Sequence, residues 1–241
     1  MIGFGTIINV LAIIVGGCIG LLLKGGLNQR FQDAVNKALG LCVLFIGASG
    51  ALSGMLVVKQ GKLSGVSTKE TLGMVIALAT GILIGEWINF EDRMEQLGAW
   101  LKAKATRGED NLFIQGFVVA SLTVCIGAMA IVGSIQDGLS GDSSTLFTKA
   151  VLDFFIIMIF AAAYGKGPIF SALPVGVLQG SVTLFAGLLS PLFSPEIIAN
   201  LSTLGSVMIF CVGVNLAFGH KFRVANMLPA LVIGAVYTAL V

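Results

Sequence analysis

A helix must offer about 20 consecutive apolar residues to cross the hydrocarbon of a bilayer, and this chain supplies uncharged runs of that order along its whole length. Residues 1–23 carry no charged side chain, nor do 38–58, 71–85, 111–136, 154–165, 167–195, 197–219 and 224–241. The runs predict eight helical spans, at 4–23, 38–58, 71–90, 112–135, 149–165, 170–190, 199–219 and 225–241. The expected fold is an all-α, polytopic transmembrane helical bundle, a single integral membrane domain over 1–241. The runs are continuous, not alternating, which excludes a β-barrel. Charged residues make up 11% of the chain, against about 25% in a soluble domain. So few charges cannot cover a water-facing surface, which excludes a soluble enzyme. The net charge of +2 is too small for a nucleic-acid partner; the expected partner is the lipid bilayer.

The first span lacks a basic leader and an A-x-A-like cleavage site, so it is expected to be retained as a helix. Orientation follows from Lys and Arg. Lys24, Arg30, Lys37, Arg93, Lys102, Lys104, Arg107, Lys166, Lys221 and Arg223 fall on one side, and Lys59, Lys62, Lys69 and Lys149 on the other. This bias places both termini outside. The long polar connection 91–110 has Phe90, Met94, Leu97 and Leu101 at helical spacing, with Trp100 beside them. It reads as an amphipathic helix on the cytoplasmic interface. Residues 27–38 read similarly, with Leu27, Phe31, Ala34 and Ala38 on one stripe.

Glycine accounts for 32 residues, and small residues let membrane helices approach closely. Gly16/Gly20, Gly50/Gly54, Gly81/Gly85 and Gly176/Gly180 have GxxxG spacing, and Gly40, Gly47 and Gly54 lie seven apart. They are expected to form close helix seams, and they make a homo-oligomer an expected state. The runs LGLCVLFIGASGAL of span two and LGSVMIFCVGVNLAFG of span seven track each other with one gap. Spans 1–3 would then correspond to spans 6–8 in opposite orientation, the inverted repeat common among secondary transporters.

No P-loop, GxSxG, HExxH or GxGxxG occurs. Cys18, Cys42, Cys125 and Cys211 lack CxxC spacing and read as apolar packers. His220, the sole histidine, reads as interfacial, as does Glu86. The sequence therefore calls for no catalytic residue, metal or cofactor. Asp153 stands apart, about one turn inside span five between Leu152 and Phe154. A carboxylate at mid-membrane costs about 2.5–3.5 kcal/mol on insertion scales, so this acid demands a cation, a proton or hydrogen-bond donors. Span four adds Ser121, Thr123, Gly127, Gly133, Ser134, Gln136, Asp137, Gly138 and Asp142. Its glycines suggest either a break near Gly133 whose exposed peptide groups could hold a cation, or a helix ending there in an external turn. Gln179, Ser181 and Thr183 of span six, Asn215 of span seven and Asn9 of span one are further intramembrane polar groups that can serve as interhelical glue.

The stretch CIGAMAIVGSIQDGLSGDSSTLFTKAVLD from Cys125 to Asp153, with the opening GTIINVLAIIVGGCIGLLLK and the segment LPVGVLQGSVTLFAG, resembles bacterial membrane proteins of the YdfK/YqgA type. That family is catalogued as a domain of unknown function. The resemblance implies an integral plasma-membrane protein of one domain, loosely linked to transport, with no established substrate. Two readings stay open. One is a transporter or channel for an ion or small polar solute, its pathway lined by Asp153, Thr123, Gly127, Gly133, Ser134, Gln136, Asp137, Gln179 and Asn215. The other is a non-transporting scaffold or partner subunit, in which Asp153 pairs with a base of a neighbour. An intramembrane enzyme is not expected.

Overall fold

The computed structural model describes residues 1–24, 29–59, 62–105, 112–126, 128–189, 191 and 193–240. The expected all-α bundle is present. The chain runs through α1 (Phe4–Lys24), α2 (Gln29–Met55), a hairpin of β1 (Leu56–Lys59) and β2 (Lys62–Val66), α3 (Thr68–Ile88), α4 (Phe90–Ala105), α5 (Phe113–Cys125), α6 (Ala128–Ser140) and α7 (Ser144–Tyr164). A 3₁₀ turn (Gly167–Ser171) leads to α8 (Ala172–Leu184), α9 (Ala186–Leu189) and α10 (Pro195–Phe218), and a further 3₁₀ turn (Val224–Met227) to α11 (Pro229–Leu240). The outward faces are apolar: Leu22, Trp87 and Leu184 are 82%, 87% and 81% exposed. Such surfaces suit a lipid solvent and would be a liability in water.

The count of eight spans is not confirmed. Phe4–Leu23, Thr71–Ile88, Ser144–Tyr164, Gly167–Leu184 and Pro195–Phe218 are long and apolar enough to cross a membrane, and the bent pair of α5 and α6 makes up to six. Two further apolar helices, Gly40–Met55 and Val224–Leu240, are shorter. Span two loses its end to β1, where Val57 and Val58 favour an extended strand. In span eight the α-helix begins only at Pro229, after a 3₁₀ turn, because proline suits a first helical turn and not an interior. The stripe expected over 27–38 is not a separate interfacial helix either. From Gln29 it continues into α2 without interruption, and Leu27 lies outside the described residues. On α4, Leu101 is buried, Met94 and Leu97 are half-buried and Trp100 is exposed, as its amphipathic pattern requires. Residues 106–111 of that connection lie outside the described residues.

The chain divides into two compact units. The first comprises Met1–Ala38, Asp92–Cys125 and Met129–Leu192. Its core includes Ile13, Phe113, Phe117, Leu146, Ile157, Phe160 and Val175. There α1 and α7 run side by side in the same direction. Gly16 lies against the Phe154 carbonyl and Gly20 against that of Met158, so each glycine admits the partner backbone where a Cβ would collide with it. The segment through α8 runs opposite to α1, with Ile169 on Gly17 and Gly176 near Val10.

The second unit comprises Leu39–Glu91, Ile126–Ala128 and Phe193–Val241. Here α2 and α10 form an antiparallel seam: Gly40 meets Ala217, Gly47 meets Phe210, Gly50 meets Ser206 and Gly54 meets Thr203. A second antiparallel seam joins α3 to α11, with Gly73 on Tyr237, Gly81 on Ala230 and Gly85 on Asn226. Gly47 takes the backbone of Phe210 while Gly213 takes that of Leu44. Gly234 packs on Leu204 and Asn200 of α10, with Ala77 of α3 further off.

Candidate functional site

The interior of the first unit holds a buried ion pair. Asp153 is only 3% exposed and Lys149 6%. They stand one turn apart on α7, where i and i+4 side chains meet, with Lys149 Nζ 2.6 Å from Asp153 Oδ2. Asn9 Nδ2 of α1 donates to the same oxygen at 3.0 Å. Lys149 Nζ also donates to the Val124 carbonyl at 2.8 Å. That carbonyl lies in the last turn of α5, where backbone acceptors lack helical partners and the helix dipole is negative. The demand of Asp153 for a cation is thus met by the chain itself.

Span four is interrupted well before Gly133, the place at which the sequence suggested either a break or a helix end. Helix α5 ends at Cys125 and α6 begins at Ala128, the two bent by 59°. Gly127, an expected pathway residue, lies outside the described residues. Gly133 is neither a break nor a helix end: α6 runs through it and through Gly138 to Ser140. Gly133 is a close-packing position instead, set against Thr145 and Leu146 of α7.

A second group of polar atoms gathers where α6 crosses α8, at the contact of Gly138 with the Thr183 carbonyl and Ala186. Ser134, Asp137 and Gln179 are fully buried and Thr183 nearly so. Asp137 Oδ1 accepts from Ser143 Oγ at 2.7 Å. Asp137 Oδ2, Ser134 Oγ, Thr183 Oγ1 and both amide atoms of Gln179 have no partner among the described residues. Thr6 Oγ1 and Asn9 Oδ1 of α1 and Ser121 Oγ of α5 are likewise buried and unpartnered. Native interiors satisfy more than about nine in ten such groups.

The remaining expected residues have other partners. Thr123 turns its hydroxyl onto the Val119 carbonyl of its own helix, 2.8 Å away. Gln136 is exposed and accepts from Thr145 Oγ1 at 2.7 Å. Asn215 belongs to the second unit, where its side chain ties the turn after α10, accepting from the amides of Lys221 and Phe222 and donating to the Phe222 carbonyl. Glu86 pairs with Arg223 at 3.2 Å. Two contributors, Lys149 and Thr6, escaped the sequence reading, which took Asn9 only as interhelical glue. Lys149 looked like a loop charge, although its i,i+4 spacing to an acid inside an apolar run signals a buried pair. Thr6 and Asn9 form an i,i+3 polar stripe on an otherwise apolar helix, which is the corresponding signal on α1. Among the described residues no three His, Cys, Asp or Glu side chains converge as a metal site.

Apolar outer faces, membrane-length helices and buried ionisable groups define an integral, all-helical membrane protein. The chain belongs to the family described as "Protein of unknown function (DUF554)", whose model matches residues 4–239. It is 28% identical over 230 residues to the "Uncharacterized membrane protein YdfK" of Bacillus subtilis (strain 168), covering 95% of this chain and 93% of that protein. It is 31% identical over 233 residues to the "Uncharacterized protein YqgA" of Escherichia coli (strain K12), with the same two coverages. No solved structure matches it significantly.

Proposed function

We propose that the protein is a transporter or channel for an ion or small polar solute, with its pathway in the first unit among α5, α6, α7, α8 and α1. The supporting observation is the density of buried polar groups there: among the described residues, one ion pair and seven further residues with unpartnered atoms. A purely structural bundle would have no use for them, since each buried orphan costs about 1–3 kcal/mol. Intramembrane ionisable groups facing a bundle interior characteristically mark solute and ion paths. The protein belongs on this reading in the bacterial inner membrane with both termini outside. The charge bias rests on ten basic residues against three once Lys149 is withdrawn into the core. No enzymatic step is assigned. Of the glycines that suggested a homo-oligomer, all but Gly180 pack against other residues of the chain, so self-association rests instead on the apolar groove of α1 and α7 lined by Ile8, Ala12, Phe147, Val151 and Phe155. In proteoliposomes the purified protein should pass a monovalent ion or small polar solute, and Asp153→Asn should abolish or uncouple that flux. Wild-type flux in a folded Asp153→Asn variant removes the pair from the mechanism, and absence of flux in the wild type for all ions and small solutes offered favours the scaffold reading.

A further inference from the structure

We propose that the crossing of α6 and α8 is a binding site for a dehydrated alkali-metal cation, held by Asp137 Oδ2, Ser134 Oγ, Thr183 Oγ1, Gln179 Oε1 and, from α1, Thr6 Oγ1. The proposal deepens the transport reading by naming a class of ion. Ser134 and Asp137 stand three residues apart on one face of α6, and Gln179 and Thr183 four apart on one face of α8. Gly138 brings the two helices into backbone contact at Thr183. Thr6 comes from α1, whose antiparallel register against α8, with Ile169 on Gly17 and Val10 near Gly176, sets it level with Gly180, between Gln179 and Thr183 in the sequence. All five side chains are at most 8% exposed, and all five oxygens lack a partner among the described residues.

Three arguments select the ligand. A buried carboxylate needs a counter-charge, and Lys149, the buried cation among the described residues of this unit, is committed to Asp153. The donors are a carboxylate, hydroxyls and an amide oxygen, the hard ligands that suit s-block cations; the imidazole or thiolate that a transition metal prefers is not among them. The balance of charge then fixes the valence. With Asp153 neutralised, Asp137 supplies a single negative charge, which a monovalent ion cancels and a divalent ion overshoots in a low-dielectric interior.

The test is equilibrium binding to the purified full chain in detergent. Sodium or potassium chloride should raise the melting temperature saturably above that in equimolar choline chloride. Asp137→Asn should weaken the apparent affinity about tenfold or more, since it removes the charged ligand, and Thr183→Val should weaken it several-fold. Equal stabilisation by choline at all concentrations overturns the site. Radiolabelled sodium bound to the wild type, and displaced by unlabelled sodium but not by choline, keeps the test independent of whether the variants fold; no displaceable sodium or potassium refutes it. Flux separates the two readings. Binding with no flux refutes transport and leaves the site, whereas flux indifferent to alkali cations refutes the site and leaves transport.

Discussion

Replacing Lys149 by methionine keeps most of the side-chain volume and removes the ammonium. Asp153, 3% exposed, would keep one donor, Asn9 Nδ2 at 3.0 Å, and lose its counter-charge at 2.6 Å. Stranding one member of a buried pair costs about 3–5 kcal/mol. The Val124 carbonyl would lose its donor as well, adding about 1 kcal/mol as a hydrogen bond. The expected loss is therefore about 4–6 kcal/mol, a large part of the total stability of an ordinary domain. The double variant Lys149→Met/Asp153→Leu removes both charges and should recover most of it, because well-packed apolar replacements of buried pairs are often neutral. Reversible unfolding in mixed detergent micelles, run as a double-mutant cycle, measures the coupling. A loss below about 1 kcal/mol for Lys149→Met, or a double variant equal to the sum of the singles, would refute a desolvated pair and imply that water reaches these groups.

Glycine substitutions should separate seam positions from open ones: Gly85→Ala drives a Cβ into the Asn226 carbonyl and should cost about 1–3 kcal/mol as overpacking, while Gly180→Ala meets nothing within 4 Å and should stabilise by about 0.5–1 kcal/mol, both read by the same unfolding assay. Asn226 accepts from the Glu91 amide at 2.7 Å and donates to Glu86 at 2.9 Å, so Asn226→Ala should lower stability by about 1–3 kcal/mol through the stranded amide; a neutral result would mean that water replaces it. Asp142 Oδ1 accepts from the Ser144 amide at 3.0 Å as α7 begins, which holds its carboxyl below the ordinary value of 3.8. A depressed native value contributes stability that is present above 3.8 and lost as the pH falls through the native value, so Asp142→Ala should flatten that acid limb in thermal melts taken from pH 6 downward.

Five membrane-length helices were legible, though not the count of eight, because hydrocarbon sets their length and an uncharged run is a one-dimensional signal. The span ends were less so: Met55 gives way to a strand, and the α-helix of the last segment waits for Pro229, both local backbone preferences that a hydropathy window averages away. Asp153 was legible as an anomaly, since an acid among Leu152, Phe154 and Phe155 breaks the apolar pattern. Its partner was not. A lysine near a span end reads as a loop charge until the fold buries it, and here burial comes from α1 and from the broken end of α5. A break was one of two readings of the glycine content, the other being a helix end at Gly133, because glycine serves hinges, helix ends and close packing alike. At Gly133 the neighbouring Leu146 of α7 decides for packing.

The amino-acid order alone determined that this chain lives in lipid, that it is helical throughout most of its length, and that Asp153 and the polar residues of α6 and α8 pay a desolvation penalty. These follow from composition and local periodicity, which need no knowledge of distant neighbours. Only the tertiary structure decided that Lys149 neutralises Asp153, that Asp137 is left without such a partner among the described residues, and that Asn215 belongs to the second unit. Those outcomes depend on which helices meet and at which residues, and a side chain's charge acquires its energetic meaning only from what the folded chain sets beside it.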